Sequence, residues 1–565
     1  METIIWARRE CYDHPADWDQ HFEPLSLPDM LRRSAEQGGE RPLLDFYGRR
    51  YSYAQCLDAA RRFACGLIAR GVAPGERVGL YLPNVPHYVA AYYGAMMAGA
   101  IAVNFSPLYA VEELVHQAQD SGITTLVTLS AHPLFDNAAA LLERGCVERL
   151  IVGSVAGALP TGKALLYRLF KQRSDDASVP HDPRLIPFGA VLDNDGAAPL
   201  PPIDPERDLA LLQYTGGTTG RPKGAMLTHQ NLTANARQVN LMDPWRDGED
   251  RILGVLPFFH VFANTAVLNR TVVNGAEVVM LPRFDAKQAL AAIRRTRITA
   301  VPGVPTMFQA LLDSPHLQPA DFATVRICIS GGAPLPQALK ERFEAAVGAR
   351  LVEGYGLTES SGVVSANPYD KPGKAGTIGQ PIPGTRVKLL DREDPLRAAP
   401  PGEPGEIAVA GPQIMRGYWS NPEADAEVFA DDYLRTGDVG MIDADGYIRV
   451  VDRIKDMIAV GGFKVFPSQV EEVLYRHPAV REAIVIGIPD AYRGECPKAF
   501  VTLRPDAPAD VDGEAIKAWL NARLGKHERV SAVEIRESLP RTLVGKLSRK
   551  ELVAEERARA GLGAV

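Results

Sequence analysis

The apolar run Leu209-Ala210-Leu211-Leu212 passes into Tyr214-Thr215-Gly216-Gly217-Thr218-Thr219-Gly220-Arg221-Pro222-Lys223-Gly224, and no other stretch restricts the fold as strongly. A strand that stops in glycines leaves backbone N–H groups open to an anion, because no Cβ holds the anion away. Thr215, Thr218, Thr219 and Lys223 add donors suited to phosphate oxygens. The stretch is not a Walker A loop, which needs Gly-Lys-Ser/Thr opening a helix. Here Arg221-Pro222 separates Gly220 from Lys223, and Gly224 follows. A nucleotide triphosphate fits the composition but must be held in another way, and the same residues on their own also describe a solvated turn.

The chain has 565 residues, 46% of them hydrophobic. Single cores stop growing at roughly 250–300 residues, so a large body and at least one smaller domain are expected. The net charge of -7 comes from 62 basic and 69 acidic residues spread along the chain. It gives no basic stripe for a phosphate backbone, so nucleic acid is not an expected partner. Cys11, Cys56, Cys65, Cys146, Cys328 and Cys496 show no Cys-x-x-Cys spacing. They predict neither a zinc site nor a disulfide framework and point to a reducing cytosol. Arg8, Arg9 and Glu10 stand where a signal peptide needs its apolar core, so a cytoplasmic location is expected. The longest apolar run, Tyr88 to Val103, falls short of the roughly 20 residues that span a bilayer and reads as a buried helix running into a strand.

From Leu25 to Val103, helical stretches such as Tyr53 to Arg70 alternate with short apolar runs such as Arg77 to Leu82. This alternation predicts βαβ units and a parallel sheet. Thr124 to Leu129 and Arg149 to Gly153 continue it, and the first sheet is expected to end there. Within Lys163 to Arg173, Leu165, Leu166, Leu169 and Phe170 share one helical face, Arg168 and Lys171 project from the other side, and Lys163 flanks the apolar edge. A basic amphipathic helix of this kind can lie on an anionic membrane, which adds peripheral contact with the inner face of the membrane to the expectation. An ordinary surface helix packed on the body is the alternative.

Asp193 to Pro205, rich in proline and small residues, reads as a linker. Further alternation follows, and Val325 to Ser330 stops in Gly331-Gly332-Ala333-Pro334, a second strand ending in glycines. Ligands of open parallel sheets sit beyond the carboxyl ends of strands, so both ends are expected to face one nucleotide. Around Gly402 to Ile407 the pattern predicts a small antiparallel unit that ends near Asp452, and Val460 to Val565 reads as a separate α/β domain.

Four further segments follow in order: Glu353-Gly354-Tyr355-Gly356-Leu357-Thr358-Glu359, Tyr433 to Asp438, Asp452-Arg453-Ile454-Lys455-Asp456 and Gly545-Lys546. With the glycine-threonine stretch they resemble the adenylate-forming enzymes, a family that includes acyl-CoA synthetases, luciferases and the adenylation domains of peptide synthetases. Through Leu256 to Phe262, Asn367-Pro368-Tyr369-Asp370 and Asp452 to Ile458, the chain is most similar to bacterial long-chain fatty acid–CoA ligases. The resemblance implies an α/β fold with a large N-terminal body of parallel α/β subdomains plus a small β unit, and a smaller mobile C-terminal α/β domain. Residues 1–452 would form the body, 453–456 a hinge and 457–565 the mobile domain.

The same resemblance implies activation of a fatty acid by ATP to an acyl-adenylate, with Mg²⁺, and then transfer to coenzyme A. A homodimer is a compatible assembly. The first step gathers negative charge, so cations and donors aimed at the α-phosphate are the expected machinery. Lys546 would bridge carboxylate and phosphate, Thr358 would touch the α-phosphate, Glu359 would hold Mg²⁺ and His260 would lie near the carboxylate. Thr215, Gly216, Gly217, Thr218, Thr219, Gly220 and Lys223 would hold phosphates, and Gly332, Ala333, Glu353, Gly354, Tyr355 and Gly356 would surround the adenine. Asp438 and Arg453 would meet the ribose, with Lys455 in the hinge, and Gly461, Gly462 and Phe463 would line the approach of the pantetheine arm. Phe258, Phe259, His260, Val261, Phe262, Val304 and Gly331 would wall the acyl tunnel.

Outside this context Thr358-Glu359 would be a helix cap, Tyr355 a packing residue and the phenylalanines plain core. Departures from the family pattern are local: Gln469 replaces an acid, Lys464 an Asn, and Lys526 to Val530 lacks a Tyr-Lys-Val-Pro-like form. Each buried methylene contributes about 0.8 kcal/mol, so two carbons change affinity roughly fifteenfold, and chain length depends on where the tunnel ends. An aryl- or other acyl-CoA ligase, an acyl-AMP ligase loading a carrier protein, and a catalytically idle acyl-nucleotide sensor are the competing readings.

Overall fold

The computed structural model describes residues 6, 9–215, 222–245, 248–490, 492–542 and 545–560. One sheet of the body has seven strands in the spatial order Leu185–Pro187, Arg149–Gly153, Thr125–Leu129, Arg77–Leu80, Ile101–Asn104, Leu209–Thr215, Lys223–Thr228. All neighbours are parallel except the last pair. The first sheet therefore does not end at Arg149–Gly153, as the sequence pattern suggested. After the linker the chain returns and sets Leu209–Thr215 beside Ile101–Asn104, with Gln213 opposite Asn104. The interior of Leu209–Thr215 is buried throughout, as a strand covered on both faces must be.

The second sheet runs Gln380–Pro381, Ser365–Ala366, Leu351–Tyr355, Ile327–Ser330, Ala300–Gly303, Arg251–Gly254, Glu277–Met280, Pro42–Phe46, Arg49–Ser52. The helix Pro86–Met97 is buried over nearly its whole surface. Its three tyrosines keep their hydroxyls bonded: Tyr88 to Asn104 at 2.9 Å, Tyr92 to Asn264 at 2.9 Å and Tyr93 to Asn269 at 2.8 Å. Buried hydroxyls require such partners. Asn264–Asn269 is a π-helical turn between Val261–Ala263 and Arg270–Asn274.

The antiparallel unit joins Arg386–Leu390, Gly405–Ala410, Tyr433–Ile442 and Phe429–Ala430, with Ile448–Arg453 paired to Tyr433–Ile442. Beyond it, Val480–Asp490 pairs with Gly494–Leu503. Side chains alternate across a strand, so Ala483 and Val485 enter one core with Val470, Leu474 and Ile516, while Ile484 and Ile486 enter another with Phe500, Leu539 and Leu552. Neither core contains a residue of the body. In this lobe Arg549 holds Glu471 through two bonds of 2.7 and 2.8 Å.

The expected basic helix spans Thr161–Phe170, and Lys171 turns the chain into the short helix Gln172–Asp175. It buries none of its residues. Leu165, Leu166, Leu169 and Phe170 are 58, 57, 66 and 76% exposed. Among the described residues no helix is long and apolar enough to cross a membrane.

Arg270 is buried and donates to Asp243 and, at 2.8 Å, to Asp250. Asp250 also accepts from Thr299 at 2.8 Å and from Asn274 at 3.1 Å. Removing the cation takes away the charge that engages both buried carboxylates, although Arg326 stays 3.6 Å from Asp250. Arg270→Ala should therefore destabilise the body by about 3–5 kcal/mol, read as a lowered urea midpoint of the body's unfolding transition.

Candidate functional site

One cavity of about 2550 Å³ opens between the two parallel sheets, the antiparallel unit and the C-terminal lobe, and both Thr215 and Gly331 line it. The two glycine-terminated strand ends therefore face a common space although they belong to different sheets. Gly216, Gly217, Thr218, Thr219 and Gly220 lie outside the described residues. Lys223 opens the next strand and places its amine 5.2 Å from the ring centroid of Tyr418. The Tyr418 hydroxyl donates to Glu359 Oε1 at 2.7 Å.

Asp438 and Arg453 are register partners on adjacent antiparallel strands, and this pairing brings them together. Arg453 Nε lies 3.0 Å from Asp438 Oδ1, and the Tyr355 hydroxyl donates to Asp438 Oδ2 at 2.5 Å. Burial and then the Asp438 charge push the Tyr355 phenol well above its ordinary pKa, while Asp438 is the main cause that raises Arg453. Glu353 accepts from the Leu335 N–H at 3.0 Å, and burial lifts its carboxyl to about 8. It is therefore mostly protonated at neutral pH. Ala333, Gly354, Gly356, Thr358, Glu359 and Lys455 also line the cavity. Burial lowers the Lys455 amine.

Lys546 arrives from the other lobe. Gly332 has φ +78°, and a Cβ built there would stand 2.5 Å from Lys546 Cε and 2.7 Å from Nζ. The lysine stem thus lies on bare backbone that a side chain would occupy. Thr306 donates to the Gly545 carbonyl at 2.8 Å, and Arg481 pairs with Asp313 at 2.7 Å, so the lobe is tied to the body beside the cavity. Enclosure by protein, and then the charge of Arg453, lower the Lys546 amine to about 8. Burial, with Lys546 adding to it, brings His260 to about 3. Its Nδ1 accepts from the Phe262 N–H at 3.2 Å, so the neutral ring carries its proton on Nε2.

Of the expected acyl wall, Phe259, His260, Val261, Phe262 and Gly331 line the cavity. The Phe262 ring approaches within 2.9 Å of where a Gly331 Cβ would lie. Phe258 and Val304 do not line it; they are buried behind it, Phe258 against Tyr88 with ring centroids 5.7 Å apart. The two phenylalanines are the central residues of a turn closed by the His260 N–H on the Pro257 carbonyl at 3.0 Å, and the turn sends Phe258 into the body and Phe259 to the cavity. Gly461, Gly462 and Phe463 are likewise not among its lining residues. Phe463 is 62% exposed and stacks on His527 at 5.1 Å.

Two residues escaped the sequence reading. Gln213 donates to the Phe259 carbonyl at 2.9 Å and accepts from Asn104 at 3.0 Å, tying the strand that ends at Thr215 to the expected acyl wall. A lone amide inside an apolar strand was the available signal. Tyr418, which orients Glu359, gave none.

A two-sheet body with a deep cleft is closed by a lobe that delivers a lysine amine beside the buried Asp438 and its partners Arg453 and Tyr355, an arrangement suited to an enzyme that handles an anionic substrate. A sequence model described as AMP-binding enzyme matches residues 31–419, and one described as AMP-binding enzyme C-terminal domain matches residues 469–546. The chain belongs to the AMP-binding enzyme family. It is 40% identical to a long-chain-fatty-acid–CoA ligase of Bacillus subtilis (strain 168), over 95% of this chain and 96% of the relative. It is 38% identical to a feruloyl-CoA synthase of Amycolatopsis sp, over 89% of this chain and 94% of the relative. Among solved structures, ATP-bound MatB from Rhodopseudomonas palustris superposes with a TM-score of 0.81 at 29% identity, covering 94% of this chain and 99% of that one. The anthranilate CoA ligase AuaEII in complex with anthranoyl-AMP gives 0.84 at 26% identity, covering 96% and 99%.

The position of Lys546 can be read directly. Competitive acylation of its amine across a pH series should give a midpoint near 8. A midpoint near the ordinary value of about 10.4 would show that the amine does not reside in the cleft.

Proposed function

We propose that this chain is a long-chain fatty acid–CoA ligase that forms an acyl-adenylate from ATP and then an acyl thioester of coenzyme A. The observation that carries the reading is the Lys546 amine laid against Gly332 in a cavity that also holds Asp438, Arg453 and the Phe262 wall. In the first step a carboxylate oxygen bonds to the α-phosphorus as the bond to the β-phosphate oxygen breaks, and pyrophosphate leaves. Lys546 would meet the charge gathering between carboxylate and α-phosphate. Below pH 8 its amine is mostly charged, as this role requires. Thr358 and Lys223 would add donors to the phosphates. His260, neutral and protonated on Nε2, suits a hydrogen-bond donor near the carboxylate and not a proton carrier.

Asp438 would accept the ribose hydroxyls with Arg453 beside it, and Tyr355 would face the adenine. Among the described residues no group of three or more His, Cys, Asp or Glu could hold a metal by itself. This fits Mg²⁺, which takes one or two carboxylates together with substrate phosphates. Glu359, with its carboxylate oriented by Tyr418, would hold it, and the ion would neutralise phosphate charge. In the second step the thiol sulfur bonds to the acyl carbon, AMP leaves and the thiol gives up its proton.

The 453–456 segment would act as the hinge between body and lobe. Lys546 and a pantetheine channel cannot share one face, so rotation would withdraw Lys546 and bring Gly461, Gly462 and Phe463 to the cleft. Their present distance from the cavity suits the pose for the first step. The fatty acid class is supported by the Bacillus subtilis relative and by an apolar branch of the cavity along the second sheet. A panel of acids, aryl acids included, with pyrophosphate release as readout would test it. Lys546→Ala should lower adenylation about 10²–10³-fold yet still convert preformed acyl-adenylate to thioester, as half-reaction assays would show. Equal loss in both halves would rule out the two-pose mechanism.

We also propose that the helix Thr161–Phe170 rests on an anionic bilayer. Four exposed apolar side chains beside Lys163, Arg168 and Lys171 support it, since the body leaves that face uncovered. The double variant Leu169→Ser, Phe170→Ser should lose most co-sedimentation with phosphatidylglycerol vesicles. Unchanged co-sedimentation would remove this contact.

A further inference from the structure

Below the Phe262 wall the cavity follows one face of the second sheet. Ile252 is the register partner of Ala300, Ala300 of Ile327, and Pro302 of Ile329, and all five line the cavity. The apolar row ends at the amino ends of three adjacent strands, where Asp250, Thr299 and Arg326 stand directly before Ile252, Ala300 and Ile327 or one residue further back. Asp243 and Arg270 close the same end. The carboxylates of Asp243 and Asp250 are both engaged by Arg270, and Arg326 lies 3.6 Å from Asp250. This polar end gives a hydrocarbon no favourable surface to follow.

The distance to it can be estimated. Gly331 to Arg326 is five steps of nearly extended chain, about 16 Å at ~3.3 Å per residue. A zigzag chain advances roughly 1.2 Å per bond, since a peptide covers ~3.3–3.6 Å in three bonds. The straight part therefore holds an acid of about 14 carbons.

A second, open cavity of about 400 Å³ lies beyond this end, lined by the charged Glu344, Arg350 and Asp370 as well as Val325 and Ala349, and Trp245, Arg326 and Tyr369 line both cavities. The Arg326 guanidinium lies 5.9 Å from the Trp245 ring centroid, and the backbone N–H of Trp245 donates to Asp243 Oδ1 at 2.8 Å. Tyr369 is buried, and its carbonyl accepts from Arg350 at 2.8 Å. The two aromatic rings are the apolar part of an otherwise charged wall.

Resting on the ligase reading above, we propose that Trp245 and Tyr369 form the partition that sets acyl length. Acids of up to about 14 carbons end against the two rings, and longer ones meet a closed end because the cavity beyond is open and charged. Each methylene that gains burial is worth about fourfold in affinity, so the partition weighs directly on substrate choice.

The test compares kcat/KM for octadecanoate and dodecanoate by pyrophosphate release. Trp245→Ala and Tyr369→Ala should raise the octadecanoate-to-dodecanoate ratio at least tenfold, and Trp245→Phe should raise it less. Ratios within twofold of the unsubstituted protein across the variants that still turn over dodecanoate would overturn the partition. Absence of pyrophosphate release with every acid in the unsubstituted protein would instead sink the ligase reading itself.

Discussion

The stem of Lys546 crosses from one separately folded body to another and rests on the uncovered backbone of Gly332. A cation placed there has lost most of its water, and its lowered pKa records that cost. The arrangement holds only if the lobe is stiff enough to deliver the amine and close enough to keep it there. The Arg549–Glu471 pair supplies stiffness inside the lobe, and the Thr306–Gly545 bond and the Arg481–Asp313 pair supply attachment. Burial is the main cause that keeps His260 neutral, and the Lys546 ammonium adds to it by opposing a second positive charge nearby.

A second constraint sits at the junction of the lobes. Arg453 ends the strand Ile448–Arg453 and begins the segment that leads to the C-terminal cores. Its partner Asp438 is the buried carboxylate that the Tyr355 hydroxyl also holds. The residue that starts the connection between bodies is thus fixed by a cluster that lines the cleft. Strand register fixes where the connection starts, and the short turn Ile454–Asp456 carries the chain on from there.

Much of this was legible in the sequence because local patterns carried it. The strand that ends at Thr215 and the second glycine-ended strand at Gly331 each had a local signature, and each reaches the cleft. What was not legible depends on register or on partners far apart in the chain. Pro42–Phe46 joins the second sheet beside Glu277–Met280, a pairing that no local pattern encodes. Asp438 meets Arg453 through an antiparallel register that includes a bulge. Tyr418 reaches Glu359, and Gln213 reaches the Phe259 carbonyl, through tertiary packing alone. The helix Thr161–Phe170 had a clear amphipathic pattern, but only the structure shows that the body leaves its apolar face uncovered.

The π-helical turn at Asn264–Asn269 has a consequence for how this family member can change by insertion or deletion. A π turn carries one residue more than an α turn in the same rise, and each residue rotates a helix by about 100°. Loss of a single residue there would restore ordinary winding and swing everything after it by more than a quarter turn. Arg270 is the first side chain downstream and would leave Asp243 and Asp250 facing each other, while Asn269 would lose Tyr93. That extra residue is a spacer whose length both the tyrosine network and the charged end of the sheet require.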